Sequence, residues 1–243
     1  MQTSFSGRRA DAVIGAACSG ASMAAADFLT LYQIPQLSPS STSSALSDSV
    51  TYPFFARTPP SDVLQSFALA DLVEHLLKVE RVATVNSEDA YGASGMREFK
   101  DQASPNPNPN PNPNPNPNPN PDPNSNPNSN PNQANRRSLQ VLASTSFTNG
   151  QADFSSNVDV LRRSGALVVV LFCQSADASR FIQATQAAGL ANITWVGSES
   201  VTLAVRSMVS SSPDQASRLR GLSPRSNQPL DLPPPLTLCS RRG

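Results

Sequence analysis

A chain of 243 residues is long enough for one or two domains, but its hydrophobic fraction of 38% is low for a globular protein. Its 18 basic and 18 acidic residues cancel without any basic cluster, which excludes the electrostatic footprint of a nucleic-acid or anionic-membrane binder. No apolar run approaches the roughly 20 residues that cross a bilayer.

In chain order, Arg8-Arg9 precede a mildly apolar run, yet Asp11 follows at once and only Ala12 to Ala17 are continuously apolar. That is too short for a signal-peptide core. DAVIGAA (11–17) is a short strand candidate, and helical spacing then runs through Met23, Phe28, Leu31 and Tyr32 to stop before Ile34-Pro35. PQLSPSSTSSALSD (35–48) reads as Ser-rich loop and TYPFFARTPPSD (51–62) as extended chain stiffened by Pro59-Pro60. Ser61 or Asp62 caps the helix DVLQSFALADLVEHLL, whose Leu64, Phe67, Ala68, Leu72 and Leu76 are expected to form one buried face. RVATVNS (81–87) is β-branched and reads as a buried strand; Tyr91-Gly92 turns into a helix over 93–103.

Beyond the Asn-Pro tract, LQVLASTSF (139–147) is predicted strand and DFSSNVDVLRRSG (153–165) helix with a glycine stop. ALVVVLFC (166–173) is the strongest buried strand, ADASRFIQATQAAG (176–189) another glycine-stopped helix, and ITWVGSES (193–200) opens with a strand. This helix–strand alternation predicts an α/β fold with a parallel sheet and helices on both faces. The alternation keeps its phase across the tract, so the tract reads as an insertion into one βα unit. Alternating proline denies the backbone donors that helices and ladders need.

The ordered motifs IPQ, LSD, YPFFAR, PSD and YGASGM, with FSSNVDVLRRSGALVVVLFCQSADASRFIQATQAAGLANITWVGSES further on, closely resemble one family. It is the ligand-binding region of eukaryotic receptors with the type I periplasmic-binding-protein fold, nearest to class C G-protein-coupled receptors of the metabotropic glutamate type. The resemblance covers about 11–103 and 139–200. It implies two lobes closing on a ligand, with 1–58 part of lobe 1 and 59–205 lobe 2 interrupted by the insertion at 104–135. The tail 206–243 matches nothing and has a disordered composition. The sequence reads as an incomplete piece of a longer receptor, placed on the extracellular side of a membrane that it reaches only through regions absent here.

The resemblance also nominates site residues. Ser19 opens a helix whose exposed N–H groups suit a ligand carboxylate, although a serine there is as commonly a simple cap. Thr42, with Ser40 close by, matches a ligand-contacting threonine; the bland reading is a polar loop. Tyr91 matches an aromatic that packs on the ligand, against the alternative of a turn tyrosine. Asp62 matches a hinge-side acid or is an N-cap. Glu199 stands where glutamate-binding relatives carry an aspartate for the ligand ammonium. His75, the single histidine, has no catalytic partner in the sequence.

Three cysteines, Cys18, Cys173 and Cys239, predict neither a disulfide framework nor, by their spacing, a metal site. Asn192-Ile193-Thr194 is a glycosylation sequon. The expected function is therefore a non-enzymatic, amino-acid-binding receptor module without cofactor or metal, and the resemblance allows a homodimer through lobe 1. Alternatives are a solute-binding protein for amino-acid transport, or a low-complexity structural protein in which the tract is the working part. With lobe 1 a fragment, binding is expected to be weak or absent.

Overall fold

The computed structural model describes residues 10–103, 139–203 and 219–221. Two parallel sheets organise them. The first has the order β1-β2-β3, from Val13–Ile14, Gln36–Ser38 and Phe55–Arg57. Helix α1, Ser19–Leu31, connects β1 to β2. The Ser-rich segment expected to be loop thus supplies the central strand of this sheet. Three residues are too few for a period to show, and β2 is held instead by side chains. Gln36 Nε2 donates to Gly15 O at 2.8 Å, and Ser38 Oγ to Ala16 O at 2.6 Å.

The second sheet has five strands in the order β5-β4-β6-β7-β8: β4 is Arg81–Ser87, β5 Gln140–Phe147, β6 Val168–Phe172, β7 Thr194–Gly197 and β8 Leu219–Gly221. Its helices are α2 (Asp62–Asp71, continued by a π-turn at Leu72–Leu76), α3 (Ala90–Ala103), α4 (Ser155–Ser164), α5 (Ser175–Ala187) and α6 (Glu199–Leu203). The alternation foreseen from the sequence is present, and β8 is a departure. Residues 219–221, inside the tail expected to be disordered, pair in parallel with β7. The rest of that tail and the Asn-Pro tract lie outside the described residues.

The period of two in the central strands sorts side chains between two cores. Val82, Val168, Val170, Phe172 and Val196 face Leu69, Val73, Met96 and Phe99 of α2 and α3. Ala83, Val85, Val169, Leu171 and Trp195 face Val158, Leu161, Phe181 and Ile182 of α4 and α5. α3 leads from β4 to β5 on one side, whereas α4 and α5 lead the other way. Right-handed crossovers then put these helices on opposite faces. The strand order therefore reverses beside β4 and β6, and the crevice at their carboxyl ends is where such sheets bind ligands.

The buried face of α2 is not the one expected. Leu64 and Leu76 are exposed, Phe67, Ala68 and Leu72 are half-buried, and the buried row is Asp62, Ser66, Leu69, Ala70 and Val73. The helix carries apolar residues on more than one side, so periodicity alone does not orient it. Packing does: Ser66 Oγ donates to Gly95 O at 3.0 Å, turning the Asp62–Ser66 edge toward α3. Tyr91 likewise lies within the first turn of α3 instead of in a preceding turn.

Two glycines let α3 sit directly on the strand ends. A Cβ at position 92 would meet Phe172 O at 2.9 Å and would collide with Ser87, and one at 95 would enter the Phe172 ring. Gly92→Ala is expected to cost about 1–3 kcal/mol, as overpacking does. Gly165→Ala, at the left-handed stop of α4 with open space around it, should cost only about 1 kcal/mol. Chemical denaturation of the two variants checks the difference.

The tract's flanks are joined directly, since Leu139 N–H donates to Ala103 O at 2.8 Å. Loop-closure entropy varies only logarithmically with length. Replacing 105–132 by a short Gly/Ser loop is therefore expected to move the denaturation midpoint by no more than about 1 kcal/mol. A loss of several would mean that these residues pack on the sheet.

Candidate ligand site at the junction of the two sheets

Where the chain passes from the first sheet to the second, Ser61 caps α2, its hydroxyl accepting from Val63 N–H at 3.4 Å. The neighbouring Asp62 is thereby released from capping. Its backbone N–H donates to Thr42 O at 2.8 Å, and its side chain is 1% exposed. Neither carboxylate oxygen has a hydrogen-bond partner among the described residues, nor has the Thr42 hydroxyl. Burial leaves such groups costly unless something pairs with them.

Glu199 approaches the same place from the start of α6. Its Oε1 accepts from the Tyr91 hydroxyl at 2.9 Å, and its Oε2 accepts from Gln65 Nε2. Tyr91 is buried, its ring tilted against Phe172 at 6.3 Å between centroids. Burial, then the charges of Glu199 and Asp62, hold the phenol well above its ordinary range. It therefore stays protonated and donating.

Burial first, and the Glu199 charge second, push the Asp62 carboxyl up to about 7. The nearby Thr42 hydroxyl, too poorly placed for a full hydrogen bond, and the Arg57 charge oppose this, and Glu98 adds to it. Arg57 is itself committed to the loop, Nη1 donating to Ser43 O at 2.7 Å and Nη2 to Ser47 Oγ.

The structure thus brings Thr42, Asp62, Tyr91 and Glu199 together. Ser19 is buried at the first residue of α1, after the N-cap position Cys18, and its Oγ accepts from Ser43 N–H at 3.2 Å. Ser43 Oγ in turn bonds Ser94 Oγ of α3 at 2.9 Å, which ties the first sheet's loop to the second sheet's helix. Ser40 stands apart: it is exposed and donates to Ala17 O at 2.7 Å. Sequence reasoning missed Gln65 and Ser198. Gln65 lies one helical turn after Asp62, a spacing that could have revealed it. Ser198 is fully buried beside the Tyr91 hydroxyl, and its own hydroxyl is otherwise unpartnered.

Two cavities of about 440 and 470 Å³ lie elsewhere, one between α3 and β5 and one between α4 and α5. Neither is lined by Asp62, Tyr91 or Glu199. His75 is exposed, near Asp71 at 3.8 Å. Among the described residues no group of three or more His, Cys, Asp or Glu is placed to hold a metal, and no helix is long and apolar enough to cross a membrane.

A parallel α/β sheet with helices on both faces, a second parallel sheet beside it, and acids and hydroxyls gathered at the junction define a ligand-binding module with a periplasmic-binding-protein-like fold. The Receptor family ligand binding region matches residues 1–223, and the chain belongs to that family. It is 29% identical over 191 residues to the metabotropic glutamate receptor of Drosophila melanogaster, covering 77% of this chain and 16% of that receptor. It is 44% identical over 94 residues to metabotropic glutamate receptor 4 of Rattus norvegicus, covering 39% and 10%. Against the Macaca fascicularis receptor 4 the identity is 47% over 87 residues, covering 36% and 9%. The chain therefore spans about a sixth of the length of the first of these and about a tenth of the others.

The raised carboxyl has a consequence for stability. An acid whose pKa is higher folded than unfolded stabilises the fold fully below its unfolded value, near 3.8, and that stabilisation is lost as pH rises through about 7. At pH 8 the ionised Asp62 is a burden on the order of 4 kcal/mol, from roughly 1.4 kcal/mol for each pH unit between the two values. Asp62→Asn is thus expected to be markedly more stable than the wild type at pH 8 and to differ little at pH 4. Urea titrations at the two pH values check it.

Proposed function

We propose that this chain is part of the extracellular ligand-binding region of a membrane receptor and that it recognises the ammonium of an amino-acid-like ligand. The observation that carries this reading is the pair of unpartnered Asp62 oxygens beside Glu199, the phenol of Tyr91 and the free Thr42 hydroxyl. An ammonium group supplies three donors and one positive charge, which is what two acids and two hydroxyls lack. The start of α1 offers backbone N–H groups for the carboxylate of the same zwitterion.

In this reading residues up to 58 belong to one lobe and those from 59 to the other. Thr42 and Ser19 come from the first and Tyr91 and Glu199 from the second. A ligand that bonds to both lobes stabilises the closed arrangement, because only differential contacts shift such an equilibrium. The motif similarity to metabotropic glutamate receptors supports signalling through lobe closure in the whole protein. The excess of acids over bases at the junction favours an amine-bearing ligand over an anionic one.

A panel of amino acids added at millimolar concentration to the 243-residue chain is expected to shift the amide resonances of Thr42, Tyr91 and Glu199. Ser19→Ala should weaken that binding by about 1–2 kcal/mol and Glu199→Ala by more, since the second removes a charged partner. Shifts confined to residues away from Asp62, or indifference to both substitutions, would sink the assignment.

A further inference from the structure

We propose that a proton and the ligand's amine compete for one position, the Asp62 carboxyl, so that extracellular pH sets the ligand affinity of this site. The proposal rests on the amine-binding reading above and adds its regulation. The geometry distinguishes the two acids. Glu199 already receives the Tyr91 hydroxyl and Gln65 Nε2 as donors. Asp62, buried more deeply than the half-buried Glu199, receives none at either oxygen among the described residues.

The charged and titratable groups facing Asp62 come from every side of the junction. Glu199 approaches from α6, Glu98 and the Tyr91 phenol from α3, and Arg57 from β3. The one cation among them already donates through both terminal nitrogens, to Ser43 O and Ser47 Oγ. Two neighbouring acids against one preoccupied base leave Asp62 with an unmet need for positive charge. In the free protein a proton meets that need, and burial together with the Glu199 charge places its loss at about pH 7. In the complex the ligand ammonium meets it instead.

The balance is simple. Below the titration point, binding an ammonium requires Asp62 to release one proton to solvent, and above it no proton moves. Affinity then rises about tenfold between pH 6 and pH 8 and levels off beyond.

Two measurements on the full chain test this. The first needs no ligand: carboxyl carbon NMR of the Asp side chains. One resonance is expected to titrate near pH 7, to vanish in Asp62→Asn, and to move to lower pH in Glu199→Gln, which removes the neighbouring charge. If every Asp carboxyl titrates below pH 5, the proposal is overturned while the amine reading stands. The second uses glycine, the smallest zwitterion, titrated at pH 6 and pH 8 and followed by the Tyr91 and Glu199 resonances. Tenfold tighter binding at pH 8 supports the competition, and equal affinity at the two pH values overturns it. If no amino acid binds this chain at either pH, the ligand-free titration decides: a carboxyl titrating near pH 7 that vanishes in Asp62→Asn upholds the proton's place at Asp62, and its absence overturns the proposal.

Discussion

The seat of α3 on the carboxyl ends of β4 and β6 is the constraint from which the junction follows. Only side-chain-free positions at 92 and 95 let a helix approach Ser87 and Phe172 so closely. Once seated, the helix aims Tyr91 at Glu199, Ser94 at Ser43 and the carbonyl of Gly95 at Ser66. Those three bonds fix, respectively, the position of α6, the loop of the first sheet and the rotation of α2. Moving α3 outward by the thickness of a methyl group would loosen all three. Close-packed interiors accommodate such a shift only by displacing their neighbours.

The rotation of α2 has a cost that the rest of the fold carries. It turns Asp62 and Ser66 inward and leaves Leu64 exposed, so an ionisable group takes space that an apolar one could fill. The cores on the two faces of the second sheet, with Trp195, Phe181 and Phe147 on one and Phe99, Met96 and Phe172 on the other, supply the apolar burial that tolerates this. Binding sites are commonly where local stability is given up for complementarity to something absent. The Asp62 oxygens and the Thr42 and Ser198 hydroxyls fit that pattern, being buried polar atoms to which the described residues offer no well-formed hydrogen bond.

Much of the second sheet was legible in the sequence because its strands are buried on both faces. Continuous runs such as 81–87 and 168–172 need no alternation to be recognised, and glycine stops at 165 and 189 mark helix ends. β2 and β8 were not legible. Each is three residues long and gains its identity from the strand beside it, so local composition carries no signal for either. The face of α2 was misread for a related reason. With apolar residues distributed around the helix, its orientation depends on which neighbour it meets.

At the junction, residue chemistry was readable and residue relationships were not. The sequence determined that a serine would precede an aspartate at a helix start, that a tyrosine would stand before a glycine, and that a glutamate would follow a strand. It also determined the order of elements and the parallel sheet they build, because periodicity, β-branching and glycine act over a few neighbouring residues. Tertiary structure alone decided that Ser61 and not Asp62 takes the cap, that Tyr91 and Gln65 both serve Glu199, and that the Asp62 carboxyl is left without a hydrogen-bond partner among the described residues. Residues 62, 91 and 199 are brought together by strand order and helix packing, which no local stretch of chain encodes. The raised carboxyl at Asp62 arises from that meeting: desolvation and a neighbouring charge exist only once distant segments have closed around it.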